Sequence, residues 1–370
     1  MSTSRRVLFT AVPIYGHLLP LLPLARAVAD AGDQPVITVP ASMTHLAQAL
    51  PTSVYGPDID FLLEENARRT GGASMADYDA VGELFAATRP DLTFGEALRH
   101  AHETGPDVIV ADEYDTIGPM LASALNVPLI QHAIGLPVNP PALATAMYAR
   151  LISRYTQLRL EQVSRLALVD PWPPALQQPQ WKPPPDRLPI RLPPYTTPAS
   201  RAPIPAAGRP RVLITLGTVI LDRDLLDALV DAVAGLEVEV LALVPPGVTH
   251  PLTDTRAHVR FLPFTPIGDL LHDVAAVVAA GGAGTVLAAL SRAIPMVMFP
   301  RGAEKPMNAE RIAAAGAGIT ISTPAAAGDA VAAVLADPSY RAAAHRVADQ
   351  INSAPEPAQV WQALRERLEA

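Results

Sequence analysis

Forty residues, Pro171–Pro210, carry 14 of the chain's 40 prolines. Proline fixes φ, removes a backbone donor and breaks helices, so such a segment is extended and resists both helix and a full sheet ladder. It divides the 370 residues into two halves of ordinary composition and domain size. The expected organisation is a first domain over 1–170, a proline-rich interdomain linker over 171–210 and a second domain over 211–352. A terminal helix over 353–370 is expected to return to the first domain.

Each half reads as an alternation of strand and helix. Val7–Val12 is a continuous apolar run, as in a strand buried on both faces. Leu21–Ala31 then repeats apolar residues at helical spacing and stops at Gly32. Pro35–Val39, Asp107–Asp112 and Val127–Gln131 read as further strands, with a helix through Met120–Leu125. Ala142–Val169 reads as one long helical region. In the second half Arg211–Leu216, Glu237–Val244, Val259–Leu262, Ala275–Ala279 and Pro295–Phe299 read as strands, with helices between them. Pro357–Glu369 is an amphipathic helix with Val360, Trp361, Leu364 and Leu368 on one side. Alternating β and α elements imply α/β domains with parallel sheets, whose ligands bind at the carboxyl ends of strands.

Composition narrows the chemistry. The chain has no cysteine, which excludes disulfides, thiolate metal sites and cysteine nucleophiles, and fits a cytoplasmic location. A net charge of −8 and 5% aromatic residues speak against nucleic acid as a partner. The uncharged stretches Val127–Ala149 and Val274–Ser291 are long enough to raise the question of a membrane span. The first is broken by Pro128, Pro137, Pro140 and Pro141, and the second is centred on Gly281-Gly282-Ala283-Gly284, so both are read as buried soluble segments.

Several residues fall where ligands are expected. Gly281-Gly282-Ala283-Gly284-Thr285 follows a strand and opens a helix, whose N–H groups can hold an anion without net positive charge. A plain tight turn is the other reading. The segment is not a P-loop, and Leu287 stands where a dinucleotide fingerprint has its third glycine, which disfavours an NAD-dependent enzyme. Gly217-Thr218 ends another strand. Gly16-His17 follows the first strand, and a histidine there can serve as a general base; the other reading is a helix-entry residue bonded to backbone. Asp112 ends a neighbouring strand, from which a carboxylate can orient the imidazole; the other reading is a solvated loop of Asp112, Glu113 and Asp115. Glu304 and Asn308, within Pro300–Arg311, can bind hydroxyl groups or form a charged surface turn.

Taken together, these segments resemble the GT-B inverting nucleotide-sugar glycosyltransferases, the UDP/TDP-glycosyltransferase family, and in particular bacterial enzymes of antibiotic and natural-product biosynthesis. The resemblance runs over nearly the whole chain, through Gly16-His17, Asp112, Gly217-Thr218, Phe264-Thr265-Pro266, Gly281–Thr285, Pro300–Asn308 and Gly316-Ala317-Gly318. It implies two Rossmann-like domains facing across a cleft, the first for an acceptor and the second for a nucleotide-sugar. It also implies hexosyl or deoxyhexosyl transfer with inversion, His17 as base and Asp112 as its orienting acid. Gly217, Thr218, Gly281, Gly282, Ala283, Gly284 and Thr285 would belong to the nucleotide-sugar site, in which Thr218 and the helix N-terminus at Gly282–Thr285 would stabilise the leaving diphosphate and Pro266 and Ile267 would hold the base of the nucleotide. The nucleoside-diphosphate sugar is a co-substrate; no cofactor and no metal are implied. The acceptor is a small hydrophobic molecule, for which Phe61, Tyr78, Phe85 and Met147 are candidate contacts, together with Phe94 and Tyr155.

Two positions depart from the family's pattern. Ala280 stands where the family usually has a histidine against the diphosphate, and Glu304-Lys305 where it has Asp-Gln against the sugar. They leave an alternative open: a GT-B fold that has lost sugar transfer and serves as a binding or auxiliary protein, or acts differently on a natural-product intermediate. A second copy of the chain or an auxiliary protein are the macromolecular partners to consider.

Overall fold

The computed structural model describes residues 4–73, 77–136, 141–196, 208–302 and 304–369. Pro137 and Pro140 of the first uncharged stretch, residues 197–207 of the proline-rich segment and Ala303 lie outside them. The chain divides into two compact units. The first comprises 1–171, 182–192 and 355–370, and the second 172–181 and 193–354.

The first unit holds a sheet of seven parallel strands: β1 (Arg6–Thr10), β2 (Gln34–Val39), β3 (Thr52–Val54), β4 (Val108–Asp112), β5 (Leu129–His132), β6 (Arg165–Asp170) and β7 (Arg187–Pro189). Their order is β3-β2-β1-β4-β5-β6-β7. The second unit holds six: β8 (Arg211–Thr215), β9 (Glu239–Leu243), β10 (Val259–Leu262), β11 (Val274–Ala279), β12 (Met296–Met298) and β13 (Gly318–Thr320). They are ordered β10-β9-β8-β11-β12-β13. Val7, Phe9, Ile109, Val110, Val277 and Val278 are wholly buried, as strands covered on both faces by helices require. In each sheet the chain runs outward on one side of its first strand and returns on the other. Strand order therefore reverses between β1 and β4, and again between β8 and β11. At such a point the loops leave in opposite directions and open a crevice beyond the carboxyl ends. His17 follows β1 and Asp112 ends β4; Thr218 follows β8 and Gly281–Thr285 follow β11.

Two sequence expectations need correction. The helix expected through Val169 ends at Leu158, and Arg159 turns the chain with φ 56°. Residues Arg165–Asp170 form β6, paired with β5 and β7. A short continuous apolar run suits either a buried helix or a buried strand, and pairing decides it. The proline-rich segment is likewise not a plain linker, because Leu188 pairs with Val169 and Pro189 with Asp170 at the edge of the first sheet. Proline is tolerated there because the outer side of an edge strand needs no donor.

The helix Pro357–Glu369 belongs to the first unit. Val360, Trp361 and Leu364 are buried. The Trp361 indole N–H donates to Asp33 Oδ2 at 2.8 Å, while Asp33 Oδ1 accepts the Arg5 N–H at 2.8 Å. Among the described residues no helix is long and apolar enough to cross a membrane.

The helix Ile117–Leu125 lies close on β1 and β4, and Gly118 makes that approach possible. A Cβ there would stand 2.4 Å from the Ala111 Cβ and 2.5 Å from the Thr10 Oγ1. Gly118→Ala is expected to cost about 1–3 kcal/mol by overpacking, read as a lower urea midpoint. Gly284→Ala has nothing within 4 Å of the added methyl and lies in a helix, so it should leave the midpoint unchanged or raise it. Equal loss in the two variants would refute the close contact.

Candidate active site

In the first unit the short helix Tyr15–Leu18 follows β1 and carries His17. Its Nδ1 lies 3.1 Å from Asp112 Oδ1. The Asp112 side chain is fully buried and that of His17 is 13% exposed, so the imidazole shields the carboxylate and keeps one edge open. Asp112 also accepts three backbone N–H groups: Val12 at 2.7 Å on Oδ2, and Tyr114 at 2.8 Å and Asp115 at 3.1 Å on Oδ1. An ionised carboxylate only accepts, so it places the imidazole proton on Nδ1 and leaves the Nε2 lone pair for chemistry. The Phe85 and Tyr114 rings stand 6.2 and 5.9 Å from the imidazole.

The other acceptor candidates are spread over the first unit. Phe61 is 53% exposed on the helix Ile59–Thr70, and Tyr78 is 44% exposed where the helix Tyr78–Glu83 begins. Met147 is half-buried on the helix Pro141–Leu158. Phe94 and Tyr155 belong to a hydrophobic core. Tyr114 was missed in the sequence, where its only signal is its place two residues after Asp112.

In the second unit Gly217 donates its N–H to Thr215 Oγ1 at 3.1 Å and, with the half-buried Thr218, turns the chain out of β8. Pro266 precedes a single helical turn, Ile267–Asp269, and both Pro266 and Ile267 are half-buried. After β11, Ala280 is buried and Gly281 takes φ +96°, a conformation that a side chain would strain. Gly282 then caps the helix Ala283–Ser291 with no side-chain acceptor on its first turn. Among the described residues no side chain accepts from the N–H groups of that first turn, which can meet an anion. Asn308 secures the turn: fully buried, it donates from Nδ2 to Gly281 O at 2.9 Å. Its Oδ1 has no hydrogen-bond partner among the described residues. Glu304 precedes the helix Lys305–Ala314. Lys305 is 8% exposed, and among the described residues no carboxylate pairs with it.

Residues 227–367 match the family model described as erythromycin biosynthesis protein CIII-like, C-terminal domain. The chain is 29% identical to the elloramycin glycosyltransferase ElmGT of Streptomyces olivaceus, over 96% of this chain and 95% of that protein. Its structure resembles the glycosyltransferase SnogD from Streptomyces nogalater, with a TM-score of 0.83 at 26% identity, covering 98% of this chain and 99% of that one. The chain has the GT-B fold of these enzymes, and the relatives aligned over nearly its whole length are named as glycosyltransferases. The chain resembles equally the spinosyn rhamnosyltransferase SpnG, in a structure complexed with thymidine diphosphate, with a TM-score of 0.83 at 27% identity over 97% of this chain and 100% of that one.

Two ionisable groups adjoin Asp112 in this chain, the buried His132 and the half-buried Glu113. His132, paired in register with Asp112, donates from Nδ1 to Ala133 O at 2.7 Å. Burial lowers its pKa to about 4. Glu113 accepts the Ile134 N–H at 3.2 Å, and burial raises its pKa to about 8. A folded-state pKa raised from 4.5 to about 8 means that Glu113 stabilises the fold fully below pH 4.5 and loses that contribution as pH rises through about 8. The depressed His132 acts oppositely: its contribution is present above 6.5 and is lost as pH falls through about 4. In urea denaturation, Glu113→Gln should gain stability relative to the parent as pH rises from about 5 to 8.5. An unchanged difference across that range would contradict the burial of this carboxyl.

Proposed function

We propose that the chain transfers a sugar, with inversion, from a nucleoside-diphosphate sugar to a hydroxyl of a small hydrophobic natural product. The observation that carries this reading is the His17–Asp112 pair, whose carboxylate is held by three backbone N–H groups. Nε2 of His17 takes the proton of the acceptor hydroxyl. The oxygen attacks the anomeric carbon from the face opposite the diphosphate, and the carbon–oxygen bond to phosphate breaks with its electron pair going to the leaving group. Attack from that side reverses the anomeric configuration. Phe85 and Tyr114 offer apolar surface for the acceptor beside His17.

The leaving diphosphate is assigned to the first turn of the helix Ala283–Ser291, with Thr218 and Lys305. Developing charge is thereby met by fixed dipoles, which need no reorganisation during the reaction. Thymidine diphosphate is the preferred nucleotide, since the SpnG structure was complexed with it. Pro266 and Ile267 are assigned to its base, and Glu304 and Asn308 to the sugar side of the turn. The alternative of a fold that has lost transfer finds no support in the comparisons. Relatives aligned over nearly their whole length are named as transferases.

The test is turnover with a panel of thymidine- and uridine-diphosphate sugars and hydrophobic hydroxylated acceptors. Nuclear magnetic resonance of the product should show the anomeric configuration opposite to that of the donor. His17→Ala should lower kcat roughly 100- to 10,000-fold while calorimetry finds thymidine diphosphate binding unchanged. Full activity of that variant would sink the assigned base, and retained configuration would sink the displacement.

A further inference from the structure

Arg89 is 5% exposed and makes a two-point contact beside the His17–Asp112 pair. Its Nη2 donates to Ala11 O at 2.9 Å, and its Nη1 pairs with Asp115 Oδ1. The carbonyl of Ala11 and the N–H of Val12 belong to one peptide group, and that N–H donates to Asp112 Oδ2 at 2.7 Å. The backbone N–H of Asp115 donates to Asp112 Oδ1 at 3.1 Å. One guanidinium thus holds two of the three backbone segments that present donors to the Asp112 carboxylate. Through the first it also polarises the intervening peptide, since a cation on the carbonyl strengthens the N–H at the other end. Asp115 is fixed in turn by the N–H groups of Ile117 at 3.1 Å and Gly118 at 3.2 Å, at the start of the helix Ile117–Leu125.

The chain delivers Arg89 by an unusual local route. Leu84–Thr88 form a widened, π-helical turn that runs directly into the helix Arg89–Thr104. Such turns re-aim side chains and recur at functional sites. This one carries Phe85 beside the imidazole, and its Phe85 carbonyl accepts the Thr116 hydroxyl at 2.6 Å.

We propose that Arg89 is a positioning residue for sugar transfer. Its guanidinium, relayed through the Ala11–Val12 peptide and through Asp115, fixes the Asp112 carboxylate that orients His17. This deepens the proposed function and rests on its assignment of His17 as the base. Neither substrate need touch Arg89. Its two contacts require the planar fork of arginine, which one ammonium group cannot reproduce.

The experiment compares Arg89→Lys, Arg89→Ala and His17→Ala in the full chain, measuring kcat, acceptor KM and the Kd of thymidine diphosphate. Arg89→Ala leaves the Asp115 carboxylate without its cation, so Arg89→Lys, which keeps the charge, guards against simple unfolding. In Arg89→Lys kcat should fall roughly 10- to 100-fold, the loss expected of a misplaced catalytic group. Thymidine diphosphate binding should stay within about twofold. Added guanidinium ion should restore part of the kcat of Arg89→Ala and none of that of His17→Ala. A kcat for Arg89→Lys within twofold of the parent overturns the proposal, as does a parallel loss of kcat and nucleotide binding. Full activity of His17→Ala is the distinct outcome that overturns the assignment of the base, and the proposal with it.

Discussion

The buried carboxylate of Asp112 is the point on which the arrangement of the first unit's candidate site depends. A buried carboxyl group is costly unless hydrogen bonds compensate it. Here three peptide N–H groups and the imidazole of His17 do so. Those donors come from the loop after β1 and the turn after β4, which are neighbours only because strand order reverses between the two strands. The same sheet topology therefore creates the place for the acid and supplies the groups that hold it.

The second unit solves a different problem at the matching place in its own sheet. In the proposed reaction a chain of net charge −8 has to hold an anion without a broad positive surface. The turn Gly281–Thr285 can do this with backbone N–H groups, held open by the positive φ of Gly281 and by the amide of Asn308. Ala280 contributes no polar group there. Charge at this turn is left to Lys305, whose Cβ packs 3.6 Å from where a Gly281 Cβ would stand. Dipoles at a helix start act over a short range and are screened little when partly buried, so overall acidity does not oppose them.

What the sequence made legible follows from the range of the interactions involved. The strands β1, β4, β8 and β11 are runs of buried apolar residues, and a continuous hydrophobic run is a local signal. The turns after them, with Gly16-His17 and Gly281–Thr285, could be read for the same reason. Asp112 could be placed at a strand end, but its distance from His17 rests on a pairing of residues 95 apart in the chain. Arg89 gave no signal, since its contact with Ala11 spans 78 residues and the π-helical turn that aims it has no sequence mark. Arg165–Asp170 was misread because its apolar residues fit a helix or a strand, and only partners on both sides choose. Edge strand β7 was hidden by Pro189 and the prolines that flank it. The tie between Trp361 and Asp33, 328 residues apart, shows why a terminal helix can be recognised as amphipathic before its seat is known.

The claim at the centre is that Asp112 fixes the proton of His17 on Nδ1 and leaves Nε2 as the base. The most direct measurement is the 15N spectrum of the His17 ring in the full chain, recorded above neutral pH with and without Asp112→Asn. The parent should show a protonated Nδ1 and an unprotonated Nε2, and the variant should lose that preference. A parent ring protonated on Nε2, or a tautomer indifferent to Asp112, would contradict the account.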